Sequence, residues 1–262
     1  MARAAKRKRA KKTKRTARRA SSRARAPKPA RKPVKKPARK VPPNRFANET
    51  PDARVARATR VYAKLAAEYP TAKCELDYRS PFELLVATIL SAQCTDRRVN
   101  MVTPNLFAAY PTPLALANAN SADVERIIAS TGFFRMKTKN LIAMSRALVD
   151  HWNGNVPSRL EDLVTLPGVG RKTGNVVLGN AFNINEGVVV DTHIARLSQR
   201  LAFTKVTDPL KIEQDLIGLF PREQWTMLAH LLIWHGRRVC DARKPRCNAC
   251  VIASLCPSAV LS

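Results

Sequence analysis

The chain has 262 residues, 47 Lys and Arg against 19 Asp and Glu, and a formal charge of +28. That length allows one or two domains, and that charge points to a polyanionic partner. No secretory signal and no apolar stretch of ~18 residues is present, which excludes a membrane-spanning helix and predicts a soluble intracellular protein.

The charge is concentrated at one end. Residues 1–45 hold 21 of the 47 Lys and Arg and no acid, the first being Glu49. The remaining 217 residues carry 26 basic and 19 acidic side chains. The tail is built from Ala, Lys, Arg and Pro, with six prolines between Pro27 and Pro43. It has almost nothing apolar to offset the entropy of ordering, so residues 1–49 are expected to be disordered. A charge block of this kind releases counterions along a polyphosphate, which predicts a DNA-affinity arm. A localisation signal and a solubilising tail are the alternatives; a transit peptide needs an apolar stripe that is absent. A bacterial cytoplasm, near the nucleoid, is the expected location, with a nucleus equally able to host such a tail.

From about Asp52 the signals are helical, and the fold class expected is all-α. Residues 52–68 place Val55, Ala58, Val61, Tyr62 and Leu65 on one face, with Pro70 as a stop. Ser80-Pro81-Phe82-Glu83 reads as a capping box opening a helix that buries Leu84, Leu85, Thr88 and Ile89. Asp96 caps a further helix through Phe107, which Pro104 should kink or shorten. Ser121 starts the next, ended by Gly132, and residues 137–152 another, ended by Gly154. Ser158-Arg159-Leu160-Glu161 reads as a second capping box, its helix running to about Leu166. Pro167 to Gly170 form a hairpin and residues 171–182 the following helix. Later helices are expected near 193–202, 209–219 and 223–238. Val188-Val189-Val190 is too short to found a sheet and reads as a buried extended linker.

The segment Leu166 to Lys172, LPGVGRK, reads as a helix-hairpin-helix turn, with an ordinary helix–helix turn as the alternative, since Pro-Gly-x-Gly is common punctuation. Without side chains, Gly168 and Gly170 let the backbone approach closely, and N–H groups at a helix N-terminus favour an anion such as a phosphodiester. Such contacts position a protein on DNA without reading its sequence. Lys172 lies in the first turn of the same helix and Asp191 nineteen residues beyond it. Further on, Cys240, Cys247, Cys250 and Cys256 are spaced C-x6-C-x2-C-x5-C within 17 residues. Four cysteines so placed in an intracellular chain indicate a metal. Structural zinc sites usually show two close pairs, whereas one close pair suits a cubane held by four thiolates. Cys74 and Cys94 read as small buried residues.

The strings LPGVGRKTGNVVL (Leu166–Leu178) and VDTHI (Val190–Ile194), with the terminal cysteines, resemble endonuclease III, a DNA glycosylase and apurinic/apyrimidinic lyase of the helix-hairpin-helix superfamily. SPFELL (Ser80–Leu85), SAQ (Ser91–Gln93) and TD (Thr95–Asp96) extend the resemblance, which spans about residues 52–258. It implies two helical domains around a DNA-binding cleft: residues 76–184 as a six-helix domain with the hairpin, and residues 50–75 plus 185–262 as an iron–sulfur cluster domain. It makes Lys172 the nucleophile and Asp191 the assisting carboxylate. A lysine attacks as the free amine, which partial burial, nearby cations and a helix N-terminus would favour. It also implies a [4Fe–4S] cluster on the four cysteines, shaping a basic loop whose Arg243, Lys244 and Arg246 meet DNA, with Arg171 a further DNA contact. A base in a duplex must be flipped out and its place filled. The matching positions are Gln93 and Phe133, the latter where leucine is more usual; Phe133 or its neighbour Phe134 must face inward. His193 is expected in the base pocket. The implied substrate is double-stranded DNA carrying oxidised pyrimidines or abasic sites, handled by a monomer.

Overall fold

Side-chain caps start most of the helices in the computed structural model, which describes residues 46–261. Among them the chain forms α1 (Pro51–Glu68), α2 (Pro81–Leu90), α3 (Asp96–Ala109), α4 (Pro113–Ala117), α5 (Ser121–Ile128), α6 (Phe134–Trp152), α7 (Leu160–Leu163), α8 (Arg171–Ala181), α9 (Thr192–Arg200), α10 (Pro209–Ile217) and α11 (Trp225–Arg238). No strand occurs among the described residues, so the fold is all-α. The basic arm lies outside them. The described residues belong to the second of two units into which the chain divides, Val41–Ser262.

Thr50, Ser80, Thr95, Thr112, Asn120, Asp191 and Asp208 each accept a hydrogen bond from an amide in the first turn of the helix that follows. This satisfies donors a helix start otherwise leaves open. The capping box expected at Ser80 is present in its first half: Ser80 Oγ accepts from the Glu83 N–H at 3.2 Å, but Glu83 reaches back one residue further, to the Arg79 N–H at 2.6 Å.

The second expected capping box is absent. Helix α7 starts after Arg159 with no side-chain cap and runs only four residues. Glu161 pairs with Arg159 at 3.5 Å on the surface instead. Three further expectations shift. Thr95, not Asp96, caps α3, which continues through Pro104 to Ala109. Helix α6 begins at Phe134, three residues early. The short α4, seated against α6, had no clear periodic signal.

Two hydrophobic cores organise the packing. The first gathers Leu84, Leu85, Val99, Leu106, Leu141, Leu148, Val177 and Leu178 among others from residues 76–178. The second joins Ala58, Val61 and Leu65 of α1 to Leu197, Ile212, Leu216, Leu228 and Leu232 of the C-terminal helices. Val55, assigned by periodicity to the buried face of α1, is 41% exposed, and Arg57 is buried in its stead. Its guanidinium is satisfied by Glu49 at 2.8 Å, the Leu201 carbonyl at 2.7 Å and the Leu255 carbonyl at 3.3 Å, as burying a charge requires. Of the expected buried linker, Val188 is buried, whereas Val189 and Val190 are half-buried, and none of the three is in a strand.

Candidate active site

The chain reaches the hairpin through the turn after α7. The Val169 N–H donates to the Leu166 carbonyl at 3.0 Å, and Leu166 and Val169 plug the turn into the first core. Gly168 has φ +78°, and a Cβ there would stand 2.9 Å from Asn140. Gly170 has φ −99° and open space where its Cβ would be. It caps α8 without a side-chain hydrogen bond, so first-turn amides face outward. Lys172 follows in that turn and is exposed, not partly buried as expected: this first turn lies outside the packed part of α8, whose buried residues start at Gly174.

Lys172 and Asp191 meet at one cavity. Its volume is about 140 Å³, and its lining includes both residues with Asp96, Asn175, His230 and Arg237. The walls come from both cores, since α8 belongs to one and α11 to the other. Asp191 serves twice: Oδ1 accepts from the Ile194 N–H at 2.8 Å to start α9, while the carboxylate faces the cavity. Arg237 pairs with Asp96 at 2.8 Å and also with Glu75, bridging α11 to the start of α3. His230 Nε2 donates to Asn180 Oδ1 at 2.8 Å, and burial lowers its pKa to about 4. A larger cavity of about 1090 Å³ shares part of this wall but touches neither Lys172 nor Asp191.

His193 is not in the lining of the cavity. Its Nδ1 lies 3.2 Å from Arg196 Nη2, and it packs against Gly236, where a Cβ would come within 3.1 Å of its ring. Arg171, expected on DNA, is paired with the buried carboxylate of Glu213 at 2.9 Å. The local sequence shows neither Gly236 beside His193 nor Glu213 beside Arg171, because both lie on distant helices; Arg196 alone is a neighbour on the same helix.

The two expected wedges share an unusual backbone. Gln93 has φ +54° and Phe133 has φ +48°, left-handed values uncommon for residues with a Cβ. Phe133 is 68% exposed, whereas Phe134 packs against the first core, so the inward-facing ring is Phe134. One buried amine ties the two turns together. Lys137 Nζ donates to the Leu90 carbonyl and the Thr131 carbonyl, both at 2.8 Å, and its burial lowers its pKa.

The four C-terminal cysteines line a separate small cavity of about 40 Å³. Arg200 Nη1 donates to Cys240 Sγ at 3.1 Å and to the Asp241 carbonyl at 2.8 Å. Arg196 Nη2 donates to the Cys240 carbonyl at 3.1 Å. His235 Nε2 is 3.3 Å from Cys250 Sγ, and its Nδ1 is 3.0 Å from the Tyr69 hydroxyl. Burial lowers the His235 pKa to about 4, so the ring is neutral, with one nitrogen a donor and the other an acceptor between Tyr69 and Cys250. Burial pushes the Cys250 thiol up to about 11, and Cys256 is raised for the same reason. Arg243, Lys244 and Arg246 are exposed on the loop between the first two cysteines. Cys74 and Cys94 are only partly buried.

Residues 86–222 match the family described as HhH-GPD superfamily base excision DNA repair protein, and this sets the class of the fold and its hairpin. The endonuclease III of Synechocystis sp. is 56% identical over 206 residues, 79% of this chain and 94% of that relative. The structure of a non-covalent endonuclease III–DNA complex is similar, with a TM-score of 0.73 at 41% identity, covering 77% of this chain and 94% of that one. A trapped endonuclease III–DNA covalent intermediate, an estranged-adenine complex, matches with the same TM-score of 0.73 and covers 77% and 95%. The chain belongs to the endonuclease III family of base excision repair DNA glycosylases.

Proposed function

We propose that the protein is a bifunctional DNA glycosylase and AP lyase that removes oxidised pyrimidines from double-stranded DNA and then cleaves the strand 3′ to the abasic site. The observation that carries this reading is that Lys172, in the helix that follows the hairpin, and Asp191 line the same cavity. Lys172 Nζ attacks C1′ of the deoxyribose; the C1′–base bond breaks, the base leaves with the electron pair, and the amine loses a proton. Asp191 faces the same space, where a carboxylate stabilises positive charge developing on the sugar and accepts that proton. The C1′–O4′ bond then breaks, O4′ taking a proton as the ring opens, and the protonated imine left at C1′ acts as an electron sink, so the 2′ carbon loses a proton and the 3′ C–O bond breaks by β-elimination, the 3′ phosphate leaving with the electron pair. The trapped covalent intermediate of a relative supports a nucleophile of this type.

Gly168, Gly170 and the open amides of α8 hold the phosphodiester, Gln93 and Phe133 fill the space left by the flipped nucleotide, and Arg243, Lys244 and Arg246 contact phosphates. Residues 76–184 act as one domain, and residues 50–75 with 185–262 as the other, consistent with the separate cores. The protein works as a monomer. Among the described residues no helix is long and apolar enough to cross a membrane.

The four thiols fit a [4Fe–4S] cluster. All four line one cavity. The Arg200 guanidinium donates to Cys240 Sγ, the outer hydrogen bond that suits a ligand thiolate, and His235 Nε2 lies beside Cys250 Sγ. When bound, the cluster would supply a structural cross-link of the loop, with no part in proton transfer. Incubation with abasic-site duplex and borohydride is expected to trap the protein on DNA, and Lys172→Gln to bind the duplex without forming the adduct. An adduct in Lys172→Gln would overturn the assignment. A panel of defined lesions in the same assay identifies the preferred base.

A further inference from the structure

Glu213 is a buried carboxylate far from the hairpin in sequence, and the proposed reaction gives it no part. It is 4% exposed, and its charge is met by groups that all lie beside Lys172 or on the path to Asp191. Arg171, the residue before Lys172, donates through Nε at 3.0 Å and Nη2 at 2.9 Å. Asn175, one turn further along α8, donates through Nδ2 at 3.2 Å and also lines the reaction cavity. That bond fixes which way the Asn175 amide faces, leaving its buried Oδ1 with no donor among the described residues. Gly187 completes the enclosure. A Cβ at Gly187 would come within 1.9 Å of Glu213 Oε1 and 2.6 Å of Asn175 Nδ2, so only glycine lets the segment leading to Asp191 lie this close. Arg171 Nη2 also reaches the Glu186 carbonyl on that segment at 3.4 Å.

One carboxylate on α10, in the second core, thus grips the first turns of α8 and the approach to α9 together. A bidentate guanidinium–carboxylate pair is directional as well as strong, so it fixes an orientation that a packing contact would leave loose. We infer that Glu213 is a positioning residue for the reaction, which sets Lys172 and Asp191 against one another through Arg171, Asn175 and Gly187. The inference rests on the lysine reading above. It assigns Arg171 to the protein interior and not to a phosphate.

The test compares Glu213→Gln, Glu213→Ala and Arg171→Met with the parent in the full chain, in two assays. One is affinity for a duplex with a tetrahydrofuran abasic analogue that cannot form an imine. The other is the single-turnover rate of borohydride-trapped adduct at saturating abasic DNA. The expected result is a saturating rate lowered ~10-fold or more in Glu213→Ala and less in Glu213→Gln, which keeps the acceptor oxygen, since small misplacements cost factors of this size. Affinity stays within about twofold of the parent, and the Arg171→Met/Glu213→Gln double variant is no slower than its slower single, the mark of a coupled pair. Should Glu213→Ala not fold, Glu213→Gln and Arg171→Met decide. Parent-like rates at saturation, or a loss confined to affinity in Arg171→Met, would overturn the inference. A parent that forms no adduct removes the lysine reading, and this inference with it.

Discussion

Buried ionisable side chains define this protein at the level of single residues. Arg57, Lys137, Glu213 and His235 are each at most 5% exposed, and each is held by named partners. None stands out in the sequence, because a charged residue is expected at the surface until a partner is known. His230 offers a test through pH. Its folded pKa of about 4 lies below the ordinary 6.5, so between those values the unfolded chain binds the proton and the folded chain does not. Stability is therefore fully present above the unfolded value and is lost as pH falls through the window. For this one group the loss between pH 7 and pH 5 is about 2 kcal/mol, by linkage. In His230→Gln, which keeps a donor for Asn180 and does not titrate, the urea midpoint is expected to fall by correspondingly less over that range. An unchanged pH dependence would show that His230 is protonated alike in both states.

Among the elements, the hairpin separates two uses of glycine. Gly168→Ala places a methyl against Asn140 at a positive φ, and is expected to cost about 1–3 kcal/mol of stability, the range for a strained backbone. Gly170→Ala meets open space at an ordinary φ, and should change stability by no more than about 0.5 kcal/mol. Its effect is expected in weaker affinity for an abasic-analogue duplex, because on the proposed function the methyl would stand where a phosphate approaches. Chemical unfolding and duplex titration of both variants check the split; equal stability loss in the two would refute it.

The same elements show what was legible in advance. The proline-started α2, the hairpin and α8 could be read from local pattern, because capping and periodicity act over a few residues. The failures are equally physical. Ser158 and Glu161 have the right spacing for a cap, but the four-residue α7 leaves no stable first turn to cap. The position of His193 beside Gly236 and the capture of Arg171 by Glu213 depend on chain crossings that no local window contains. Lys172 and Asp191 came from a motif resemblance; that they share one cavity is a structural fact.

At the scale of the whole molecule, charge is divided unequally. Residues 1–45 bring 21 positive charges and no negative ones. Deleting them is expected to weaken binding to undamaged duplex and to flatten its dependence on salt, by about 0.9 in the log–log slope for each phosphate that the arm no longer neutralises. The rate of adduct formation at saturating abasic DNA should stay unchanged. Binding isotherms across a salt series decide this, and an unaltered slope would end the role of the arm in DNA affinity.

Helix α9 joins the two chemistries of the molecule. Asp191 sits at its start, and Arg196 and Arg200 near its end hold the loop that begins at Cys240. Nine residues at helical rise make it about 13 Å long. It therefore works as a ruler: on the proposed function, it sets the assisting carboxylate and the anchor of the basic loop about four base-pair rises apart along a bound strand. Lengthening α9 by a full turn would move that footprint along the strand without altering a single reacting group.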